Sequence, residues 1–507
     1  MQPPKVDIED VLVENDPRSW SRTRKTVTLC IVSAAAMIAG LGSNIQNPAI
    51  QQMEKQLPAT SSQISLSLSL FTLFQGIVPL VWSAISEIKG RKLVYIASVG
   101  LTVLGCIGTA LSPNINLIIF FRCIQGAASS SVITIGAATL VDIYPPATRG
   151  TKMGIYNAAP LLGPSLGPIL GGALATGFSW RACFWFLAIF SGASFLTFLL
   201  FFEDPWRKER SLTYQNVLWR KPNEQDRQHK KKDACISNNS ELCLDSAPSP
   251  LKKTLNESSA VPLHPTPPVI TLSLKHVNPV TPLIGVMRRR NNQLILLASG
   301  FCFAFMFLTA YATARTLGRV YQYSPFKIGL VLLSLGIGTL TGSVLGGYYS
   351  DYTFRALKDA NGGVGYSEMR LRSTIPGLAF LPLSIVGMGW VYHQHAHIAV
   401  VCAMLFTNGF FLIWIYSSTL TYIVDANNGR SSTAMAANSA FRGISAFLAT
   451  EIAVPLQNSL GDGPMYTIWG AIVLISELLI LLVYLKGRKW RQAAEEREIA
   501  SSKPNHE

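Results

Sequence analysis

Arg122, Arg442, Glu451 and Glu477 each fall inside a long apolar stretch of this 507-residue chain. An ionised side chain in such a stretch costs at least about 2–3 kcal/mol on insertion scales, so the few that remain mark function or a partner. Arg122 shares a helical face with Gln125 and Ser129, at i+3 and i+7. A guanidinium stays protonated at cellular pH, so Arg122 cannot itself carry a proton. It can hold an anionic group in a coupling or substrate role, or belong to a structural ion pair. Arg442 and Glu451 are nine residues apart, which at about 100° per residue puts them on opposite helix faces, unable to pair along the helix. Asn438, four before Arg442, favours Arg442 as the residue facing a cavity and leaves Glu451 toward a neighbouring helix. Glu451 and Glu477 are the carboxyls available to carry a proton; each could equally be a satisfied helix–helix contact. The stretch 26–45 holds no acid, and Asn44, Gln46 and Asn47 lie near its far end. A cavity with Arg122 and Arg442 therefore leans positive and favours organic anions over cations.

Other chemistries find no support. There is no convergent nucleophile, acid/base or metal constellation, and no phosphate-binding Gly-rich loop with Lys that would make ATP the driver. Most of the eight cysteines (Cys30, Cys106, Cys123, Cys183, Cys302 and Cys402) sit within apolar stretches as small fillers, with no CxxC or Cys/His grouping. His393, His395 and His397 alternate in a short loop and read as solvated. The expectation is no enzyme, no cofactor and no metal.

The elements that must position these residues cross a bilayer. Asp, Glu, Lys and Arg make up 14% of the chain, against about 25% in soluble domains. Runs such as 115–141, 181–202 and 398–424 reach the ~20 residues that span a hydrocarbon core. The spans read 26–45, 64–86, 93–111, 115–141, 151–176 and 182–202, then 293–314, 328–349, 373–392, 397–424, 433–458 and 466–486. The fold class is an all-α membrane protein of twelve helices in two six-helix halves.

A net charge of +15 could suggest nucleic acid, but its placement favours the membrane and excludes that partner. Starting inside, roughly 36 of the 43 Lys and Arg residues fall at the termini and in inner loops, and about five outside, as the positive-inside rule requires. Both termini are then cytoplasmic, and the polar first 25 residues carry no cleavable signal. The organisation is a cytoplasmic N-terminus 1–25, a bundle 26–202, a linker 203–292, a second bundle 293–486 and a tail 487–507. The linker, with His229-Lys230-Lys231-Lys232 and a Pro-rich stretch at 262–268, cannot bury enough apolar surface to fold alone and is expected to be disordered. Its sequons, at Asn238 and Asn256, would be unglycosylated in the cytoplasm.

A weak internal echo relates the halves: Ser83-Ala84-Ile85-Ser86-Glu87 after span 2, and Gly347-Tyr348-Tyr349-Ser350-Asp351 after span 8, each place a small residue four before an acid. Ser83–Lys92 resembles the loop signature of the major facilitator superfamily, keeping Gly90, Arg91 and Lys92 while Ser83, Glu87 and Ile88 replace the usual Gly, Asp and Arg. Phe121-Arg122-Cys123-Ile124-Gln125-Gly126 resembles the superfamily's intramembrane arginine motif. Span 5 matches the antiporter signature at Gly163, Gly167, Pro168, Gly171 and Gly172. With Asp16–Ser21, 321–330, Glu368–Leu371 and Ala436-Ala437-Asn438 with Arg442, the chain resembles the fungal twelve-span drug:proton antiporters, especially the quinidine-resistance-type branch.

That resemblance implies alternating access, with a small-molecule substrate, protons and the lipid bilayer as partners, and a monomer in the plasma membrane or, alternatively, a vacuolar or other internal membrane. It assigns Arg91 and Asp142 to a state-dependent ion pair and Glu87 to the start of span 11. The span 5 motif it assigns to sealing the inward path; small residues four apart let helices approach closely in any case. Many proton-coupled members carry an acid in span 1, which this chain lacks. An importer or facilitator of the same fold, or a non-transporting sensor, would read similarly except for the span 5 signature and the short charged tail. Phe301, Phe303, Phe305, Tyr311, Trp414 and Tyr416 could line an apolar pocket or face lipid and neighbouring helices.

Overall fold

A computed structural model describes residues 15–207, 280–427 and 431–502. The basic run, the Pro-rich stretch and both sequons lie outside the described residues. No strand occurs among the described residues.

The twelve expected spans form as helices. Span 1 is Arg22–Asn44, continued by a 3-10 turn and the helix Ile50–Gln56; span 2 is Ser61–Ile77 followed by Pro79–Lys89. Spans 3 to 6 are Arg91–Leu111, Ile115–Ile143, Pro146–Gly177 and Trp180–Leu200. Spans 7 to 12 are Arg290–Arg319, Pro325–Ala360, Ile375–His393, Ile398–Ala426, Ser431–Leu460 and Asp462–Ser502. Eleven of these are long and apolar enough to cross a membrane. The twelfth, span 11, carries Asn438, Arg442, Glu451 and Gln457, whose polarity dilutes its apolar character. Local chemistry sets the starts: Ser21 caps span 1, Thr60 and Gln63 form a capping box on span 2, Asn114 caps span 4, and Pro79, Pro146 and Pro325 occupy first turns where no donor is needed.

Large apolar side chains such as Leu104, Ile189 and Leu383 face outward, while the interior holds many Ser, Thr and Asn residues. This is the pattern of a protein whose solvent is hydrocarbon. Span 5 packs between spans 1 and 8, and span 11 between spans 2 and 7.

Two boundaries differ from expectation. The linker was expected to run to residue 292, but Val280–Met287 is helical and Arg290 already begins span 7, with Val286, Arg289, Asn291 and Asn292 buried. The tail expected from 487 continues span 12 as helix to Ser502. Good helix formers allow this, and ion pairs hold it: Arg491 bonds buried Glu368 and, one turn on, Glu495, while Arg289 grips Glu498 through two bonds of 3.0 Å.

Candidate functional site

The face bearing the start of span 1 and the end of span 12 is called proximal here, the opposite face distal. On the proximal face of the first half, positive φ at Gly90 (88°) turns the chain from span 2 into span 3. The Asp204 carboxylate fills the space beside it and accepts the backbone N–H groups of Arg91 and Lys92 at 3.1 and 3.3 Å, so an acid from the end of span 6 caps span 3. Buried Arg91 then donates to Glu87 (2.8 Å), Asp142 (3.2 Å) and Ser86 (2.6 Å). The Lys92 ammonium reaches the Leu199 carbonyl.

The second half repeats the arrangement. Arg370, before span 9, donates to Asp351 in the proximal part of span 8 (2.8 Å) and to Asp425 at the end of span 10 (2.5 Å), over the face of Phe354. The echo of Glu87 in Asp351 was visible in the sequence; Asp425, and the role of Asp204 in the first half, were not.

Deeper in the first half, Arg122 is fully buried. One nitrogen donates to the Gly42 carbonyl and the Gln125 amide oxygen at 2.9 and 2.8 Å; the plane lies 4.1 Å from the Phe71 ring, with Phe184 at 5.7 Å. Gln125 passes the contact on to Cys106. The Nε and Nη2 of Arg122 have no hydrogen-bond partner, and no carboxylate pairs with it among the described residues. Cation–π stacking offsets part of its desolvation but leaves donors open.

In the second half Arg442 stacks 3.7 Å from the Phe303 ring and donates to the Tyr416 hydroxyl at 2.7 Å. Asn438 shares that hydroxyl, at 3.4 Å, and accepts from Ser299 at 2.8 Å. Arg442 is half-buried, its Nε is open, and it too has no acid partner among the described residues. Phe303 packs at a tilt against Phe307, which with Met306, Asn44, Pro164 and Pro168 lines a small cavity between the halves. Asn44 lines this cavity with an unpartnered amide nitrogen.

The expected site residues therefore split. Asn438 and Arg442 come together with Tyr416 and Phe303; Arg122 and Gln125 form a separate cluster among spans 1, 2, 3 and 6. Glu451 lies across the helix from Arg442 and accepts Ser69 Oγ of span 2 at 2.5 Å. Glu477 is buried with both oxygens unpartnered. Tyr416 and Phe303 act in the Arg442 cluster, whereas Phe305 packs on Tyr466 and Trp469, and Trp414 donates to the Ser373 carbonyl. His397 caps span 10, and no metal-binding group of three ligands occurs among the described residues.

The span 5 motif makes close backbone seams. A Cβ at Gly163 would lie 2.4 Å from Gly40 Cα of span 1, and one at Gly171 would collide with the Ile45 carbonyl. Gly172 meets Pro325 at the start of span 8, and Ser165 donates to the Gly336 carbonyl at 3.0 Å. A second seam, where Gly76 of span 2 faces Gly443 of span 11, carries no motif that marks it in the sequence. Hydrogen bonds between the halves cluster toward the distal side: Ser65 to Thr450, Ser69 to Glu451, Tyr311 to the Ser61 carbonyl, Arg319 to Glu54 and Ser61, and Phe326 to Thr176.

A sequence model described as Major Facilitator Superfamily matches residues 32–450. The chain is 27% identical over 559 residues to the MFS antiporter QDR3 of Candida albicans, covering 94% of this chain and 80% of that protein. It is 24% identical over 502 residues to Citrate exporter 1 of Aspergillus niger, covering 96% and 90%. Among solved structures it is similar to the xylose transporter XylE from E. coli in a partially occluded inward open conformation, with a TM-score of 0.62, 12% identity, and coverage of 90% of this chain and 97% of that one.

Proposed function

Because the chain belongs to the major facilitator superfamily and is a multi-pass membrane transporter, we propose that it exports a small organic anion in exchange for protons by alternating access. The observation that carries the anion is Arg442: a half-buried guanidinium, stacked on Phe303 and oriented by Tyr416, with an open nitrogen and no acid partner among the described residues. A cation kept without a protein counterion in a low-dielectric setting is best stabilised by an anion that arrives and leaves. Arg122 adds a second positive centre in the first half. The names of two relatives, an MFS antiporter and a citrate exporter, fit both exchange and an anionic solute.

The Lys and Arg asymmetry supports a cytoplasmic proximal face with both termini inside, and on this reading export takes place at the plasma membrane. Bonds between the halves cluster distally, so this arrangement is inward-facing and ready to load from the cytoplasm. Loading at Arg442 screens its charge; rocking of the halves then breaks the distal contacts and forms proximal ones, with the Arg91 and Arg370 clusters holding each half's proximal end in register. The close span 1–span 5–span 8 seams make those helices move as packed units. The protein works as a monomer, since each chain supplies both halves.

Reconstitution tests this. Radiolabelled citrate should move in proteoliposomes, faster under an imposed pH gradient, while the lipophilic cation quinidine should not. Quinidine flux without citrate flux would refute the anion, and citrate flux indifferent to the gradient would refute proton exchange.

A further inference from the structure

We propose that Glu477 is the site at which the exchanged proton binds, an inference that rests on the antiport reading above. Its side chain is 1% exposed, lies well inside the membrane-crossing part of span 12, and has no hydrogen-bond partner on either carboxyl oxygen. Glu451 differs: it is half-buried and already receives Ser69 Oγ from the other half. A carboxyl left without donors in an apolar interior is tolerated as the neutral acid and strongly disfavoured as the anion.

Among the described residues no cation pairs with Glu477. Span 12 packs on spans 7 and 9, with lesser contact to span 11 and to the turn Ser367–Thr374. From span 7 the titratable neighbour is Cys302. Span 9 carries only Tyr392 and His393, at its distal end. Span 11 carries Arg442, held by Tyr416 and Phe303, and Glu451, held by Ser69. In the turn, at the proximal face, Glu368 pairs with Arg491, Arg370 is held by Asp351 and Asp425, and Arg372 is the remaining charge. On span 12 itself the other titratable groups lie toward its two ends, beyond the level of Glu477: Asp462 and Tyr466 distally, Tyr484, Lys486 and the charged residues from Arg488 to Glu498 proximally.

Binding converts one carboxylate and one proton into one carboxylic acid, with no other reactant. Losing that proton leaves an anion facing Cys302 and apolar side chains, which is relieved only if span 7 shifts or water enters. Span 7 is also the helix that closes the distal face, through Tyr311 to Ser61 and Arg319 to Glu54. One turn before Cys302, its Ser299 holds Asn438, which shares Tyr416 with Arg442. The proton at Glu477, the distal closure and the anion site thus bear on one helix, as a coupled exchanger requires.

The test uses full-length protein in proteoliposomes with radiolabelled citrate. For E477Q, gradient-driven flux should fall at least about tenfold more than citrate counterflow, which needs no net proton movement. E477D should recover part of the gradient response, and E451Q should lower both fluxes by a similar factor. Infrared difference spectra of wild type between acid and alkaline pH should contain a carboxylic-acid band that E477Q lacks. An E477Q variant that keeps the full gradient response, or keeps that band, overturns the assignment while leaving proton exchange intact. A wild type indifferent to the gradient overturns the antiport reading itself.

Discussion

Four arginines define the contrast between the ends of the molecule and its middle. Arg91 and Arg370, on the proximal face, each sit between two carboxylates, Glu87 with Asp142 and Asp351 with Asp425. Arg122 and Arg442, in the interior, have none among the described residues and rest on aromatic faces. Charges at the membrane surface are balanced within the protein and so can hold or release a conformation. Those in the middle, where imbalance costs most, are left without an acid, and on the reading proposed above a ligand supplies the missing charge.

Removing Arg442 should break the contrast most severely. R442Q keeps the polar contact to Tyr416 but loses the cation, and citrate flux should fall by about 100-fold, the loss expected when a charge-assisted contact disappears. R122Q sharpens it from the other side: transport should fall by about tenfold while the melting temperature rises by about 2 °C, because an unbalanced buried charge has been removed. A melting temperature that fell sharply would make Arg122 a structural residue. At the paired end, R91A and R370A should each slow turnover about fivefold without loss of folding, the twin effect following from the twin geometry. Normal turnover in R91A would remove its gating role. The smallest change belongs to the half-exposed Arg319: R319Q should raise labelling of a cysteine introduced at the distal seam by about twofold, since exposed ion pairs contribute little.

The residues that were legible in the sequence are those whose positions follow from the period of a single helix. Asn438 and Arg442 share a face because four residues make about one turn, and Glu451 falls opposite for the same reason. The spans followed from where hydrocarbon excludes charge, and Asp351 from its spacing after span 8. What stayed hidden depends on the register between helices: Tyr416 meeting Arg442, Phe71 under Arg122, Asp204 capping span 3, and Gly76 against Gly443. The helical extension of span 12 is not legible in the sequence because its partners, Glu368 and Arg289, lie more than a hundred residues away.

Direct binding of radiolabelled citrate to purified wild-type and R442Q protein in detergent, at one ionic strength, tests most directly whether the unbalanced interior cation exists for an anion. Saturable binding to wild type that disappears in R442Q and is untouched by quinidine is the expected result. Equal binding to both proteins, or displacement by quinidine alone, would contradict it.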